Sequence, residues 1–177
     1  VRIDRLGHLG DGLGEGLIVP RALPGELVEG EERDGRLDGA RILEPSPERV
    51  APPCPHFRRC GGCAVQHLRD EAVAEWKAEI VRHALAAQGI QAGIETVLTS
   101  PPASRRRAVL AARRTKKGAL AGFHMRGSTE IVPVPECRVL HPSLLDALPV
   151  AEALAEAGAS RKDTLDVAVT VTESGLD

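Results

Sequence analysis

The sequence predicts a small all-β barrel followed by an α+β domain built around four cysteines. Three observations carry that reading. Short apolar runs separated by glycine turns fill the first 46 residues, and a proline-rich stretch follows them. Beyond it come every cysteine of the chain, a helical period and then alternating strands.

In the barrel, residues 1–46, the apolar runs are Gly16-Leu17-Ile18-Val19, Glu26-Leu27-Val28-Glu29 and Leu37 to Leu43. Asp11-Gly12, Pro24-Gly25 and Asp34-Gly35 supply turn signals between them, and frequent glycine with short strands suits a tight barrel. Gly10, Gly12, Gly14 and Gly16 alternate, but no strand leads from them into a helix, so they read as packing and turn residues rather than a nucleotide-binding fingerprint. Residues 47–53 read as a linker, because Pro45, Pro47, Pro52 and Pro53 deny the stretch a helix and most sheet hydrogen bonds.

The second domain spans residues 54–177. Ala72, Val73, Trp76, Ile80, Ala84 and Leu85 recur at helical spacing and predict a helix over 70–88, with Asp70 as N-cap and Gly89 as its stop. Arg107–Arg113 and Ala119–Met125 are expected to pair as strands about a turn at Gly118. A second helix is expected over Pro142–Ala157, then a strand over Leu165–Thr172 with Leu165, Val167, Val169 and Val171 on one side. The chain closes just after that strand forms, which reads as a truncated fold.

Aromatic residues are scarce (Phe57, Trp76 and Phe123), so any contact with bases must lean on charge. The net charge of −2 hides an asymmetry. Val1–Val50 holds 11 acidic and 7 basic residues, whereas Ser100–Arg126 holds 8 basic residues and no acidic one. Arg105, Arg106, Arg107, Arg113, Arg114, Lys116 and Lys117 form a candidate RNA-binding strip, since alternate members of two neighbouring strands share a face and arginine pairs well with phosphate. The other reading is a solvated hairpin edge protected by charge. No 18-residue apolar stretch and no secretory h-region occur, so no membrane span and a cytoplasmic, reducing setting are expected.

All four cysteines fall into one pattern: Cys54-Pro-His-Phe-Arg-Arg-Cys60-Gly-Gly-Cys63, with Cys137 far downstream. Four thiolates suit a cubane iron–sulfur cluster or a tetrahedral zinc, and free thiols or disulfides are the plainer alternatives. The three-plus-one grouping favours the cubane over zinc, which is typically held by two two-cysteine knuckles. With all four positions thiolate, such a cluster would be structural or redox-sensing rather than a Lewis acid. His56 reads as a surface residue or a neighbour of the ligands, His67 and His83 as polar-face residues of the helix, and Trp76 as a packing anchor. His141 and Ser143 have no identifiable triad partner.

The stretch from Cys54 to Leu68 resembles the iron–sulfur-containing RNA (uracil-5-)methyltransferases of ribosomal and transfer RNA. Trp76-Lys77, Arg105-Arg106-Arg107, Gly122-Phe123, Arg126 to Val132, Cys137 and Leu140-His141-Pro142 support the likeness. Ala22-Leu23-Pro24-Gly25-Glu26, after the glycine-rich opening, resembles the TRAM domain at the front of those enzymes. The resemblance implies a TRAM/OB-like barrel and then a central α+β domain binding a [4Fe–4S] cluster through Cys54, Cys60, Cys63 and Cys137. It also implies a Rossmann-like catalytic domain, absent from this chain, that binds S-adenosyl-L-methionine. There a further cysteine would add to C6 of the uridine and a carboxylate or similar base would remove the C5 proton. Ribosomal or transfer RNA is the implied partner, a monomer is expected, and this portion alone is expected to be inactive. Ser104 stands where family members commonly carry an aromatic residue. In relatives part of the segment after the cluster packs on the catalytic domain, so the apolar side of helix 70–88 is expected to be exposed. A stand-alone metal-stabilised RNA-binding module is the alternative from a different class.

Overall fold

The chain passes between two units three times along its sequence. In the computed structural model, which describes residues 1–177, unit 1 comprises Val1–Pro52 with Ala64–Thr99, and unit 2 comprises Pro53–Cys63 with Ser100–Asp177. This division differs from the one read in the sequence: residues 64–99, helix included, group with the N-terminal segment, and the first three cysteines lie on an excursion out of it.

Unit 1 holds two small antiparallel sheets. Strands β1 (Arg5–Leu6), β2 (Gly12–Gly14) and β3 (Leu17–Val19) form one, and β4 (Leu27–Glu29) with β5 (Arg41–Glu44) form the other. Single bridges stitch them to the rest of the segment, Arg2 to Leu27 and Ile18 to Arg36. The expected barrel is thus seen as two short ladders with isolated bridges at their margins, because strands of two to four residues broken by glycine turns cannot sustain a longer one. Glycine is needed at Gly14, where a Cβ would lie 2.0 Å from the Arg2 carbonyl oxygen. Ile3, Val19, Ala22, Val28 and Leu37 fill the core.

The sequence-predicted linker is built into this unit. Ser46 is buried, its N–H and the Arg49 side chain donate to Glu26, and Val50 N–H donates to the His67 carbonyl at 2.9 Å. The prolines shape a turn here rather than a free spacer. Helix α1 runs over Asp70–Ala86. Arg69, not Asp70, occupies the cap position and makes no side-chain cap bond; Asp70 and Glu71 instead place carboxylates in the first turn, where the helix dipole favours them. At the far end Gly89 (φ 73°) halts the helix as expected. Ala72, Val73, Trp76, Ile80 and Leu85 are half-buried, Ala84 and Val81 are exposed, and only Ala78 is fully buried. Trp76 anchors the helix by donating from Nε1 to the Gly7 carbonyl at 3.2 Å. His83 lies on the polar side beside Glu79, as expected, but His67 is buried.

Unit 2 is a four-stranded antiparallel sheet in the order β8-β7-β6-β9, made of β6 (Arg107–Thr115), β7 (Gly118–His124), β8 (Ile131–Val132) and β9 (Leu165–Thr170). Lys116-Lys117 form the β6–β7 turn; Gly118, expected at the turn, opens β7 opposite Thr115. The expected helix over 142–157 is two, α2 (Pro142–Leu145) and α3 (Ala147–Gly158). Pro149 has no N–H to donate to Leu145, so the helix restarts with that proline in its first turn. Leu144, Leu148, Ala151 and Ala155 pack with Ala108, Leu110, Ala112, Ala121 and Val169 of the sheet in one apolar core. Val167 and Val171 join Val169 on that face, so the alternation read in the sequence holds. No helix is long and apolar enough to cross a membrane.

Candidate metal centre and cationic surface

Tight turns wind the cysteine excursion. Phe57 N–H donates to the Cys54 carbonyl, and Arg59 and Cys60 N–H both donate to that of His56. Cys54, Phe57 and Cys60 are buried as a result. The excursion is fastened to the β7–β8 hairpin. Cys60 bridges Met125, Gly61 N–H donates to the His124 carbonyl at 2.9 Å, and Arg59 pairs with Glu130. Gly61 admits no side chain, since a Cβ would stand 2.7 Å from that same carbonyl oxygen. Sequence reasoning missed Glu130; the available signal was that it is the first carboxylate after an acid-free run from Thr96 to Thr129.

Cys137 arrives on the segment after β8, where its N–H donates to Val134, and it packs against the core that contains Cys60. Burial pushes the Cys60 thiol up, the Gly62 N–H at 3.3 Å opposes this, and the neighbouring Cys137 and Cys54 push it up further. Cys60 therefore lies within electrostatic range of both Cys54 and Cys137, although Cys137 is far away in sequence. All four are free thiols, and Cys63 and Cys137 are half-buried. The arrangement stops short of a coordination sphere: no group of three or more Cys, His, Asp or Glu side chains stands where it could hold a metal ion. A zinc site needs its sulfurs about 2.3 Å from one ion. The Nε2 of half-buried His56 is itself buried and has no hydrogen-bond partner, leaving one unsatisfied polar atom on the cysteine loop.

The seven expected RNA-binding residues do not make one strip. Arg105, Arg106 and Arg107 lie at the start of β6 and Arg113, Arg114, Lys116 and Lys117 at its end, with Arg107 and Arg113 about 20 Å apart at the rise of a strand. Arg107 and Arg113 share a face, as alternation requires, but Asp166 lies opposite Ala111 between them. At the first end the Arg106 guanidinium donates twice to the Val171 carbonyl (3.0 and 3.2 Å), and Arg107 Nε donates to Thr170 Oγ1 at 3.3 Å. Arg113 is half-buried and the other six are exposed. None of the seven forms a salt bridge.

No family model matches the chain. It is 44% identical over 183 residues to an uncharacterized RNA methyltransferase of Caulobacter vibrioides, covering 99% of this chain and 44% of that protein. It is 37% identical over 155 residues to the 23S rRNA (uracil(1939)-C(5))-methyltransferase RlmD of a Marinomonas species, covering 80% of this chain and 34% of that protein. Among solved structures, the Pyrococcus abyssi tRNA (uracil-54, C5)-methyltransferase in complex with S-adenosyl-L-homocysteine matches with a TM-score of 0.62 at 22% identity, over 98% of this chain and 42% of that one. The chain spans less than half the length of the curated relatives it matches. Along nearly all its residues it is similar in sequence to part of proteins named RNA methyltransferases, and it shares the fold of part of a solved one.

Proposed function

We propose that these residues are the RNA-handling, iron–sulfur-binding portion of an S-adenosyl-L-methionine-dependent RNA (uracil-5-)methyltransferase. The similarity to RNA methyltransferases over 99% of the chain is the observation that carries the reading. Uracil C5 as the target rests on the Marinomonas relative's name, and S-adenosyl-L-methionine on the ligand of the Pyrococcus structure. Methyl-donor chemistry is assigned to sequence outside these 177 residues, which alone are expected to transfer no methyl group.

Cys54, Cys60, Cys63 and Cys137 would hold a [4Fe–4S] cluster, which would supply a cross-link between the excursion and the segment after β8. The electrostatic influence of Cys54 and Cys137 on the Cys60 thiol supports that assignment, as do the clamps at Arg59, Cys60 and Gly61. With every cysteine so engaged, none remains as a nucleophile. The two cationic groups would take phosphates of one RNA at points about 20 Å apart.

Iron, acid-labile sulfide and zinc content after purification without oxygen tests the metal. About four irons and four sulfides per chain is the expected result for a cubane bound by cysteines. One zinc without sulfide would turn the reading to a metal-stabilised RNA-binding module. Replacing Arg107 or Arg113 by Ala should weaken binding to a labelled RNA and lower its salt slope by about one each. An unchanged slope would return these residues to a solvated edge.

A further inference from the structure

Two motifs that stand apart in the sequence, Ala22 to Glu26 and Gln66-His67-Leu68, meet in one buried network of unit 1. The Glu26 carboxylate is fully buried and accepts four hydrogen bonds. They come from Leu23 N–H (2.8 Å), Ser46 N–H (3.1 Å), Arg49 Nε (2.5 Å) and Arg49 Nη2 (2.8 Å). Arg49 Nη2 also donates to the Arg21 carbonyl at 2.7 Å, so the guanidinium is held on two sides.

Arg49 belongs to a short stem. It pairs antiparallel with Leu68, Val50 N–H donates to the His67 carbonyl (2.9 Å), and Arg69 N–H donates to the Glu48 carbonyl (3.0 Å). The Arg69 and Glu48 side chains pair at 2.6 Å on the outside of this stem. Between the stem strands run residues 51–66, which carry Cys54, Cys60 and Cys63.

We propose that Glu26 is a positioning residue for these three thiols, acting through Arg49 to keep the stem of the cysteine excursion closed. Bringing the ends of a flexible loop together costs entropy, and a stem already shut removes that cost from whatever must gather the thiols. A bidentate arginine–carboxylate pair suits the task because it fixes direction as well as distance. The benefit to a metal rests on the cysteine assignment made above; the closure of the stem does not.

The test uses the full chain, reduced and metal-free, with iodoacetamide labelling of each cysteine followed by peptide mass spectrometry. Four proteins are compared: the unaltered chain, Glu26→Gln, Arg49→Lys, and Val19→Ala, which weakens the same unit's core away from the stem. Glu26→Gln is expected to raise labelling of Cys54 and Cys60 at least tenfold, and Arg49→Lys by a smaller factor. Val19→Ala should leave both within twofold at a matched loss of urea midpoint. Unchanged labelling in Glu26→Gln, or an equal rise in Val19→Ala, overturns the proposal. If Glu26→Gln shows no cooperative unfolding, Arg49→Lys decides by the same criterion. Metal content of the unaltered chain is measured separately, so a chain that binds no metal yet shows the labelling shift refutes the cysteine assignment and leaves the latch standing.

Discussion

Unit 1 buries four polar or charged side chains, Asp11, Glu26, Ser46 and His67, beside eight apolar ones, whereas the eighteen side chains that unit 2 buries are all apolar or cysteine. The first is a set of short strands that cannot bury enough surface to fix its own geometry, and directional bonds to one carboxylate do part of that work. The second relies on a sheet and helix whose apolar faces match. The contrast teaches that two parts of one small chain can be specified by different physics, and it exposes them to different perturbations.

The largest expected effect is Glu26→Ala. It strands a mostly buried guanidinium and should cost about 3–5 kcal/mol. Urea unfolding followed by the fluorescence of Trp76, the only tryptophan and a unit 1 residue, would measure it. Exchanging both partners for apolar residues should cost far less; an equal cost would mean the pair is not the specifying element. Leu110→Ala in unit 2 should cost about 3 kcal/mol through the cavity it leaves, with no dependence on mild acid.

Acid separates the units more sharply. Burial, then the charge of Arg49, lowers the His67 pKa to about 4, so the unfolded chain takes up a proton first as pH falls. The resulting stability is complete above pH 6.5 and is lost progressively down to about pH 4, a contribution of order 3 kcal/mol. Glu26 extends the loss to lower pH. Burial raises its carboxyl, but the hydrogen bonds from Arg49, Leu23 and Ser46 outweigh it and hold the group below its ordinary range. Trp76 should therefore report a falling urea midpoint between pH 7 and 4, and a flat profile would erase the distinction. The smallest effect is expected at the exposed turn, where Lys117→Ala should change stability by less than about 0.5 kcal/mol in urea unfolding followed by circular dichroism.

Elements governed by local period were legible in the sequence. Helix α1, the β6–β7 pair and the alternation of β9 all stand within a few residues of expectation. What failed depended on partners far along the chain. The proline stretch hid Arg49, whose role is visible only once Glu26 is beside it. His67 looked like a polar-face residue because its place in a stem pairing is invisible to helical spacing. The cationic residues were grouped by sequence proximity, and nine residues of extended strand drew them into two ends. The turns that wind the cysteine loop lie close along the chain, while the clamp from Arg59 to Glu130 was not legible, since nothing local links the two.

The interleaving of the two units also has a consequence for synthesis. A chain emerging from the ribosome completes unit 1 only when Thr99 is out, by which time Cys54, Cys60 and Cys63 are already exposed to the surroundings. Cys137 follows later, so three thiols must wait while the sheet of unit 2 is still being made. The order of translation thus sets a window in which these cysteines are most open to oxidation.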